Sequence, residues 1–168
     1  TEIALAPDAP FRPSTPYAVS RAAIDLHLSA LHRTFGFPVR FTRTVNVYGE
    51  GQQLYRIVPK TALSILRGQR LRLHGGGTSA RSFIHISDVV AGILRVAING
   101  RDGVTYHMAT DRMTTISDLV AMICVLLGAK FEDAVEIDRE RPGKDMAYWL
   151  DDSATRDQLG WHDCVPLE

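Results

Sequence analysis

Segments with helical spacing alternate along this chain with short runs rich in β-branched and aromatic residues. Residues 17–35, 55–67 and 116–127 repeat apolar side chains every three or four positions, as amphipathic helices do. Between them stand short segments such as 38–45 and 104–110, which are typical of strands. This alternation is the pattern of α/β proteins. We therefore expect an α/β fold in which at least some strands pair in parallel.

The segments between the helices are predicted from their glycines and their β-branched residues. Residues 46–53, NVYGEGQQ, are predicted to form a loop because two glycines interrupt them. The glycines at 75–77 predict a tight turn, since neither GxGxxG nor a P-loop pattern surrounds them. Residues 82–86 and 135–137 are predicted to be strands.

Two helices in the second half of the chain have recognisable starts. Ser87 or Asp88 is expected to cap the first of them. Its buried stripe is predicted to consist of four apolar side chains, Val90, Ile93, Leu94 and Ala97. Residues 115–118 resemble a capping box with aspartate in place of glutamate, so the second helix should begin there. That helix is expected to bury Ile116, Leu119, Val120, Ile123 and Leu127.

The charge balance and the cysteine content exclude several kinds of protein. The 168 residues include 19 basic and 19 acidic residues and no basic run, which argues against a nucleic-acid partner or a membrane surface. No apolar run approaches the roughly 20 residues that span a bilayer. Cys124 and Cys164 show no CxxC spacing, which argues against a disulfide framework or a metal site. The composition thus predicts a cytoplasmic protein without a bound metal.

The start of the chain reads as a proline-rich loop. Pro7, Pro10, Pro13 and Pro16 precede a strong helix directly, and no signal-peptide pattern is present. An independent domain seldom begins in this way. We therefore expect the chain to be part of a longer protein.

Tyr17 and Arg21 lie one helical turn apart on the face that also carries Ile24, Leu28 and Leu31. A phenol is a poor base near neutral pH unless its anion is stabilised, and a cation held nearby favours that anion. A tyrosine and a cation at positions i and i+4 can therefore form a proton-transfer pair. The spacing by itself is common on helices and usually has no catalytic meaning.

Four segments, in chain order, resemble the extended short-chain dehydrogenase/reductase family of nucleotide-sugar epimerases and dehydratases. STPYAVSRAAIDL (14–26) resembles its active-site helix, which carries Tyr-x-x-x-Lys. FGFPVRFTRTVNVYGEGQ (35–52) and LRLHGGGTSARSFIHISDVV (71–90) resemble two further motifs of that family. VEIDRERPGKDMAYWLDDSATRDQLGW (135–161) is similar to the ending of the 4,6-dehydratases. The four matches occur in the family's order and extend along nearly the whole chain, from residue 14 to residue 161.

The resemblance implies the C-terminal half of a Rossmann-type fold, joined to a smaller α/β substrate-binding lobe. About residues 1–50 and 82–110 would complete the NAD-binding domain. About residues 51–81 and 111–168 would form the sugar-nucleotide-binding lobe. The dinucleotide-binding glycines and the acid–base pair that removes water in dehydratases would lie upstream. Family members usually form dimers, which implies a homodimer here.

The resemblance also implies roles for individual residues. Tyr17 matches the catalytic tyrosine, which exchanges a proton with the sugar 4-hydroxyl while hydride passes to or from NAD. Arg21 stands at the position of the lysine that binds the nicotinamide ribose and stabilises the phenolate. Both residues are thus candidates for catalysis and for cofactor binding. The substrate's diphosphate would be contacted by Asn46, Arg81 and Arg141, and arginine suits this role because a guanidinium binds phosphate oxygens bidentately. Arg56 stands near a position that is often basic in dehydratases and is a further candidate for substrate binding.

Three positions depart from the family pattern. Arg21 keeps the charge of the usual lysine, but its bulk and planar fork are not equivalent to an ammonium group. His107 stands where asparagine is common, so contacts to the nucleotide there are in doubt. Ser82 stands in place of an aspartate, which we interpret as an altered structural hydrogen bond.

The resemblance favours an NAD-dependent nucleotide-diphosphate-sugar 4,6-dehydratase. In this reaction the sugar is oxidised at C4, loses water across C5 and C6, and receives hydride back at C6. A nucleotide-sugar 4-epimerase is the alternative that residues 46–52 favour. A non-catalytic nucleotide-sugar-binding protein, suggested by Arg21, and an inactive fragment are further alternatives.

The expectation of a partial fold can be tested with the 168-residue chain. This chain is expected to bind NAD weakly or not at all, because the glycines and the helix N-terminus that hold the cofactor's diphosphate are expected elsewhere. Calorimetric titration with NAD measures the affinity. Micromolar binding would contradict the expectation.

Overall fold

The structure is a computed structural model that describes residues 4–139 and 149–167. It has an α/β fold with parallel strand pairs, as the alternation of segments predicted. The helices are α1 (Pro16–Phe35), α2 (Ile57–Leu66), α3 (Ile86–Asn99), α4 (Ile116–Leu126), α5 (Phe131–Ala134) and α6 (Ser153–Leu159). The strands are β1 (Phe41–Thr44), β2 (Asn46–Tyr48), β3 (Leu71–His74), β4 (Ala80–His85), β5 (Thr105–Met108), β6 (Met113–Thr115) and β7 (Val135–Asp138).

The strands form three small sheets. β1 pairs with β5, and β3 pairs with β7, both in parallel. β4 is the centre of the third sheet, with β2 parallel on one side and β6 antiparallel on the other. Near the start of the chain, Leu5 forms a single parallel bridge with Leu150. The glycines at 75–77 form the predicted tight turn between β3 and β4, and all three have positive φ.

Two apolar cores lie on either side of β4. The first, here called the α3 core, consists of Val45, Ile84, Val89, Val96, Tyr106, Met108, Ala109, Leu159 and Trp161. The second, here called the α4 core, consists of Leu71, Leu73, Val120, Cys124, Ala134 and Val135. Beside the α4 core, Phe83 of β4 packs with Leu119 and Ile123 of α4. β4 therefore contributes to both sides, with Ile84 in the α3 core and Phe83 against α4.

The prediction of a loop over 46–53 is wrong for its first three residues. Asn46–Tyr48 form β2, in register with Phe83–His85 of β4. The partner strand is more than 30 residues away in sequence, so the local pattern does not reveal the pairing. Gly49, with φ of 137°, ends the strand.

The predicted stripe of α3 is also wrong. Val90, Ile93 and Leu94 are 47%, 43% and 56% exposed. The face that α3 turns to the sheets carries Asp88, Val89, Gly92 and Val96 instead. The helix is apolar on more than one face, so its periodicity did not identify the face that is buried.

The predicted helix starts have different outcomes. The cap at Ser87 or Asp88 is wrong, because α3 begins at Ile86 and the ring of His85 accepts a hydrogen bond from the Ser87 amide. The predicted start at Thr115 is confirmed, since Thr115 caps α4 and its Oγ1 accepts from the Asp118 amide at 3.0 Å. The Asp118 carboxylate in turn accepts a hydrogen bond from the Thr115 hydroxyl. Of the five side chains expected to be buried in α4, Leu119, Val120 and Ile123 are buried, Ile116 is half-buried, and Leu127 is exposed.

Gly92 permits the close approach of α3 to β5 and to the segment after α6. A Cβ atom at this position would overlap the sulfur of Met108 and lie 3.0 Å from Nε1 of Trp161. Both of those side chains are at most 1% exposed. They therefore have little room to move.

Gly92→Ala is expected to destabilise the protein by about 1–3 kcal/mol, because overpacking a tight core is unfavourable. The strain outweighs the roughly 1 kcal/mol by which alanine favours a helix over glycine. Chemical denaturation measures the change. The matched control is Ala91→Gly on the exposed side of the same helix, which should lose about that propensity difference alone. An increase in stability for Gly92→Ala would contradict this packing.

Candidate active site

An open cleft of about 1040 Å³ lies where β1 and β2 end. Its walls are the first two turns of α1, both strands, the loop after β2 and the start of α2, together with Phe83 of β4 and Ile86 of α3. In open α/β folds, ligands bind at the carboxyl ends of the strands. The position of this cleft therefore suits a ligand site.

The start of α1 fixes Tyr17 and Arg21 at the cleft. Thr15 caps the helix, its Oγ1 accepting a hydrogen bond from the Ala18 amide at 3.1 Å. Pro16 occupies the first turn, where a backbone amide has no partner within the helix, so the missing amide proton of proline costs no hydrogen bond. Tyr17 is 75% exposed, and it and Arg21 both line the cleft. The two side chains can thus reach one ligand from the same helix face.

Asn46 and Arg56 line the same cleft from the other side. Asn46 is half-buried at the first position of β2. Arg56 directly precedes α2, with its guanidinium 5.5 Å from the ring centre of Tyr55. Four of the six predicted site residues therefore meet at one cleft.

The other two predicted residues are not among those that line it. Arg81 lies on β4 opposite Thr114, and its Nη1 donates to the Ala80 carbonyl at 2.7 Å. It is two positions from Phe83, so both side chains leave the same face of the strand, and Phe83 does line the cleft. Arg141 lies outside the described residues.

Arg43 and Gln52 also line the cleft, although neither is among the six predicted site residues. Arg43 forms an ion pair with Asp25 of α1 at 3.1 Å. Gln52 Nε2 donates to the Val47 carbonyl at 2.7 Å and thereby holds the loop after β2. A charged residue in the middle of a short strand, as at Arg43, is the signal that could have identified it. Gln52 gave no such signal.

The cleft has an excess of positive charge. It is lined by Arg21, Arg43 and Arg56 and by one carboxylate, Glu50, whose Oε2 lies 3.5 Å from Nε2 of His85. Arg43 is neutralised by its own ion pair. Within residues 4–139 and 149–167, Arg21 and Arg56 form no ion pair, so their charges remain available to an anionic ligand.

Tyr48 is a second tyrosine at the cleft, and its surroundings differ from those of Tyr17. Its hydroxyl donates to the Pro166 carbonyl at 2.9 Å. Burial and, to a smaller extent, the negative charge of Asp88 raise the pKa of Tyr48. The Tyr48 hydroxyl therefore stays protonated and engaged, which makes it poorly suited to acid–base work.

His107 lies on β5, in register with Arg43, and is only 1% exposed. Its Nδ1 donates to the Asp151 carbonyl at 3.0 Å. In the part of the chain that the structure describes, Nε2 is buried without a hydrogen-bond partner. Burial lowers the pKa of His107, although the bond to Asp151 opposes this shift. The ring is thus neutral and structural, and it does not line the cleft.

The sequence matches the NAD dependent epimerase/dehydratase family over residues 2–109, more than half of the chain. The chain belongs to this family. A dTDP-glucose 4,6-dehydratase from Streptomyces antibioticus is 36% identical over 152 residues, which are 90% of this chain and 45% of that protein. The corresponding enzyme of Haemophilus influenzae is 31% identical, over 100% of this chain and 53% of the relative.

Solved structures of the family have the same fold. DesIV, a dTDP-glucose 4,6-dehydratase from Streptomyces venezuelae crystallised with NAD, matches with a TM-score of 0.94 and 33% identity, over 99% of this chain and 51% of its own. A UDP-glucose 4-epimerase from Thermotoga maritima matches with a TM-score of 0.88 and 25% identity, over 99% and 55%. The chain spans about half the length of these relatives.

The described residues lack two features that other kinds of site would require. None of their helices has both the length and the apolar character needed to cross a membrane. In the same residues, no group of three or more histidine, cysteine or acidic side chains is arranged to hold a metal ion.

The buried ring of His107 predicts a pH dependence of stability. Because burial lowers its pKa below the usual 6.5, the unfolded chain binds a proton here more readily than the folded protein. The free energy of unfolding should therefore fall as the pH falls below about 6.5.

His107→Asn, which cannot titrate and retains a donor, is expected to flatten this dependence. Urea denaturation between about pH 7 and pH 5 measures it. His27→Asn, on the exposed side of α1, is the matched control and should retain the wild-type slope. An unchanged slope in His107→Asn would mean that this ring does not cause the dependence.

Proposed function

We propose that this chain is part of an NAD-dependent nucleotide-diphosphate-sugar 4,6-dehydratase with Tyr17 as its acid–base group. The observation that carries the proposal is the shared cleft, at which Tyr17, Arg21, Asn46 and Arg56 meet. Relatives named as dTDP-glucose 4,6-dehydratases support the reaction class. The cleft offers a phenol, an amide and two guanidinium groups that form no ion pair with the described residues, which are groups that such a substrate requires.

In this proposal the residues of α1 act on the sugar and on the cofactor. The Tyr17 hydroxyl exchanges a proton with the oxygen at the sugar C4. Arg21 donates hydrogen bonds to ribose hydroxyls and stabilises the Tyr17 phenolate by its charge. NAD, when bound, accepts and returns the hydride. The described residues fit the nicotinamide end of NAD, because both side chains are exposed into the cleft.

The diphosphate of the substrate is assigned to the side of the cleft that Asn46 and Arg56 line. Arg56 stands at the N-terminus of the ten-residue helix α2, where the helix dipole also favours an anion. Asn46 and Arg81 would contact the same group, and so would Arg141. A fork-shaped guanidinium binds phosphate oxygens bidentately, so arginine suits each of these positions.

A nucleotide-sugar 4-epimerase is the alternative function. It is supported by residues 46–52 and by the similarity to the Thermotoga maritima epimerase. Both reactions begin with the same oxidation at C4, so Tyr17 and Arg21 would serve either of them. The product separates them, since a dehydratase forms a 4-keto-6-deoxy sugar and an epimerase inverts C4.

The proposal extends to domain organisation and assembly. Residues 1–50 and 82–110 would belong to the NAD-binding domain, and residues 51–81 and 111–168 to the sugar-nucleotide lobe. α1 would pack against a second copy in a cytoplasmic homodimer. No residue of α1 is buried within this chain. Four of its apolar side chains are at least half exposed, namely Val19, Ile24, Leu26 and Phe35. Such an apolar surface is typical of an interface.

Tyr17→Phe is expected to reduce turnover by the full-length protein about 10²- to 10⁴-fold, because only the hydroxyl that exchanges the proton is lost. The fold and nucleotide-sugar affinity should be retained, since the ring is already 75% exposed. Tyr48→Phe is a control for loss of a tyrosine hydroxyl from the cleft. Product formation from a nucleotide-diphosphate hexose and NAD is the measurement.

Arg21→Lys is the companion variant, because lysine is the usual residue in similar enzymes. It should retain activity with altered NAD affinity. If Tyr17→Phe turns over substrate as fast as the wild type, Tyr17 is an exposed surface residue without a catalytic role, and the mechanism is refuted. Inactivity of all variants and of the wild type, with nucleotide sugar still bound, would favour the non-catalytic alternative.

A further inference from the structure

Helix α1, which carries Tyr17 and Arg21, has few apolar contacts with the rest of the described chain. None of its 20 residues is buried. The side chains that it turns inward are small or polar, namely Ala18, Ala22, Asp25, Ser29 and His32, together with the half-buried Leu28 and Leu31. Within the described chain, polar contacts therefore contribute a large share of what holds this helix against the strands.

The guanidinium of Arg43, on β1, contacts both α1 and the loop that precedes this helix. Arg43 Nη2 lies 3.1 Å from Oδ2 of Asp25. Its Nη1 donates to the Pro7 carbonyl at 3.2 Å, and its planar group lies 4.7 Å from the ring centre of Phe11. Within residues 4–139 and 149–167, the pair with Asp25 is the only ion pair of α1.

This contact lies close to the reacting groups. Asp25 is four residues from Arg21 and eight from Tyr17, which is about 6 Å and 12 Å along the helix axis. Arg43 itself lines the cleft that both residues face. The side chains of the pair are 27% and 25% exposed, so the ion pair is partly shielded from water and from salt.

A shift of α1 would move the proton-transfer group relative to the sugar. A misplacement of about 1 Å at an active site can lower the rate on the order of 10²-fold. Arg43 is already engaged by Asp25, Pro7 and Phe11, so its guanidinium is less available to a substrate. Arg56, at the same cleft, forms no ion pair with the described residues and is the better ligand for an anion.

We propose that Arg43 is a positioning residue, which acts through Asp25 to hold α1 so that Tyr17 and Arg21 face the substrate. The inference rests on the proposed function, since the position of Tyr17 matters only if that residue reacts. Arg43 makes this contact from strand β1, and Asp25 makes it from helix α1. Removing either end should have the same consequence.

Kinetics of the full-length protein with NAD and a nucleotide-diphosphate hexose test the pair. Asp25→Asn and Arg43→Gln should each lower kcat about 10- to 100-fold, with KM within about threefold of wild type. The double variant should be no slower than the slower single variant, because both changes remove one contact. Asp25→Glu, which retains the charge, should restore most of the rate.

The matched control is the ion pair between Arg40 and Asp102, at 3.0 Å, whose residues do not line the cleft. Asp102→Asn removes a carboxylate from an arginine as Asp25→Asn does. It should leave kcat unchanged. Equal losses in the two asparagine variants would attribute the effect to general destabilisation and overturn the proposal.

Two other kinetic results would also overturn it. A KM raised more than about tenfold in Arg43→Gln, with Asp25→Asn unaffected, would make Arg43 a substrate ligand. Losses that add in the double variant would mean that the two residues act independently.

Amide hydrogen exchange gives a readout that does not depend on catalysis. In the full-length protein, Asp25→Asn should speed exchange across residues 16–35 about tenfold, with residues 86–99 unchanged. Asp102→Asn should not change exchange in α1. Unaltered exchange in α1 of Asp25→Asn would overturn the proposal. If the wild type transforms no nucleotide sugar, the proposed function fails, and the exchange result still decides whether Arg43 and Asp25 hold the helix.

Discussion

Strand β4 buries side chains on both of its faces, and the two halves of the structure meet along it. Ile84 is fully buried in the α3 core, while its neighbour Phe83 packs against Leu119 and Ile123 of α4. The same strand pairs with β2 on one side and β6 on the other. Because adjacent residues of a strand point in opposite directions, a shift of one residue would turn Ile84 toward α4 and Phe83 toward the α3 core. The register of β4 therefore fixes how the two halves sit relative to each other.

The cleft is a consequence of that arrangement. β2 is held by β4 and ends beside it, so Asn46 and the loop after β2 lie at the border between the two cores. α2, which carries Arg56 at its start, packs on α4 from one half, and β1 pairs with β5 in the other. Polar and cationic side chains concentrate at this border. A ligand bound there would touch both halves, as the proposed reaction requires of cofactor and sugar.

Much of this structure could be predicted from the sequence, and the exceptions share a physical cause. Thr115 acts on a backbone amide three residues away, so its role as a cap could be predicted from the local sequence. β2 depends on a partner more than 30 residues distant, and α3 is apolar on several faces, of which packing selects one. Motifs predicted Tyr17 and Asn46 as site residues, and both line the cleft. Arg43 was missed because its importance lies in its contact with Asp25, which only the fold creates.

The central claim is that one cleft holds both the nicotinamide and the sugar nucleotide. A crystal structure of the full-length protein with NAD and a nucleoside diphosphate sugar tests it most directly. The nicotinamide ribose is predicted to lie within hydrogen-bond distance of Arg21, with the sugar C4 oxygen beside the Tyr17 hydroxyl and the diphosphate against Arg56. Ligands bound elsewhere, with Tyr17 facing solvent alone, would contradict the account.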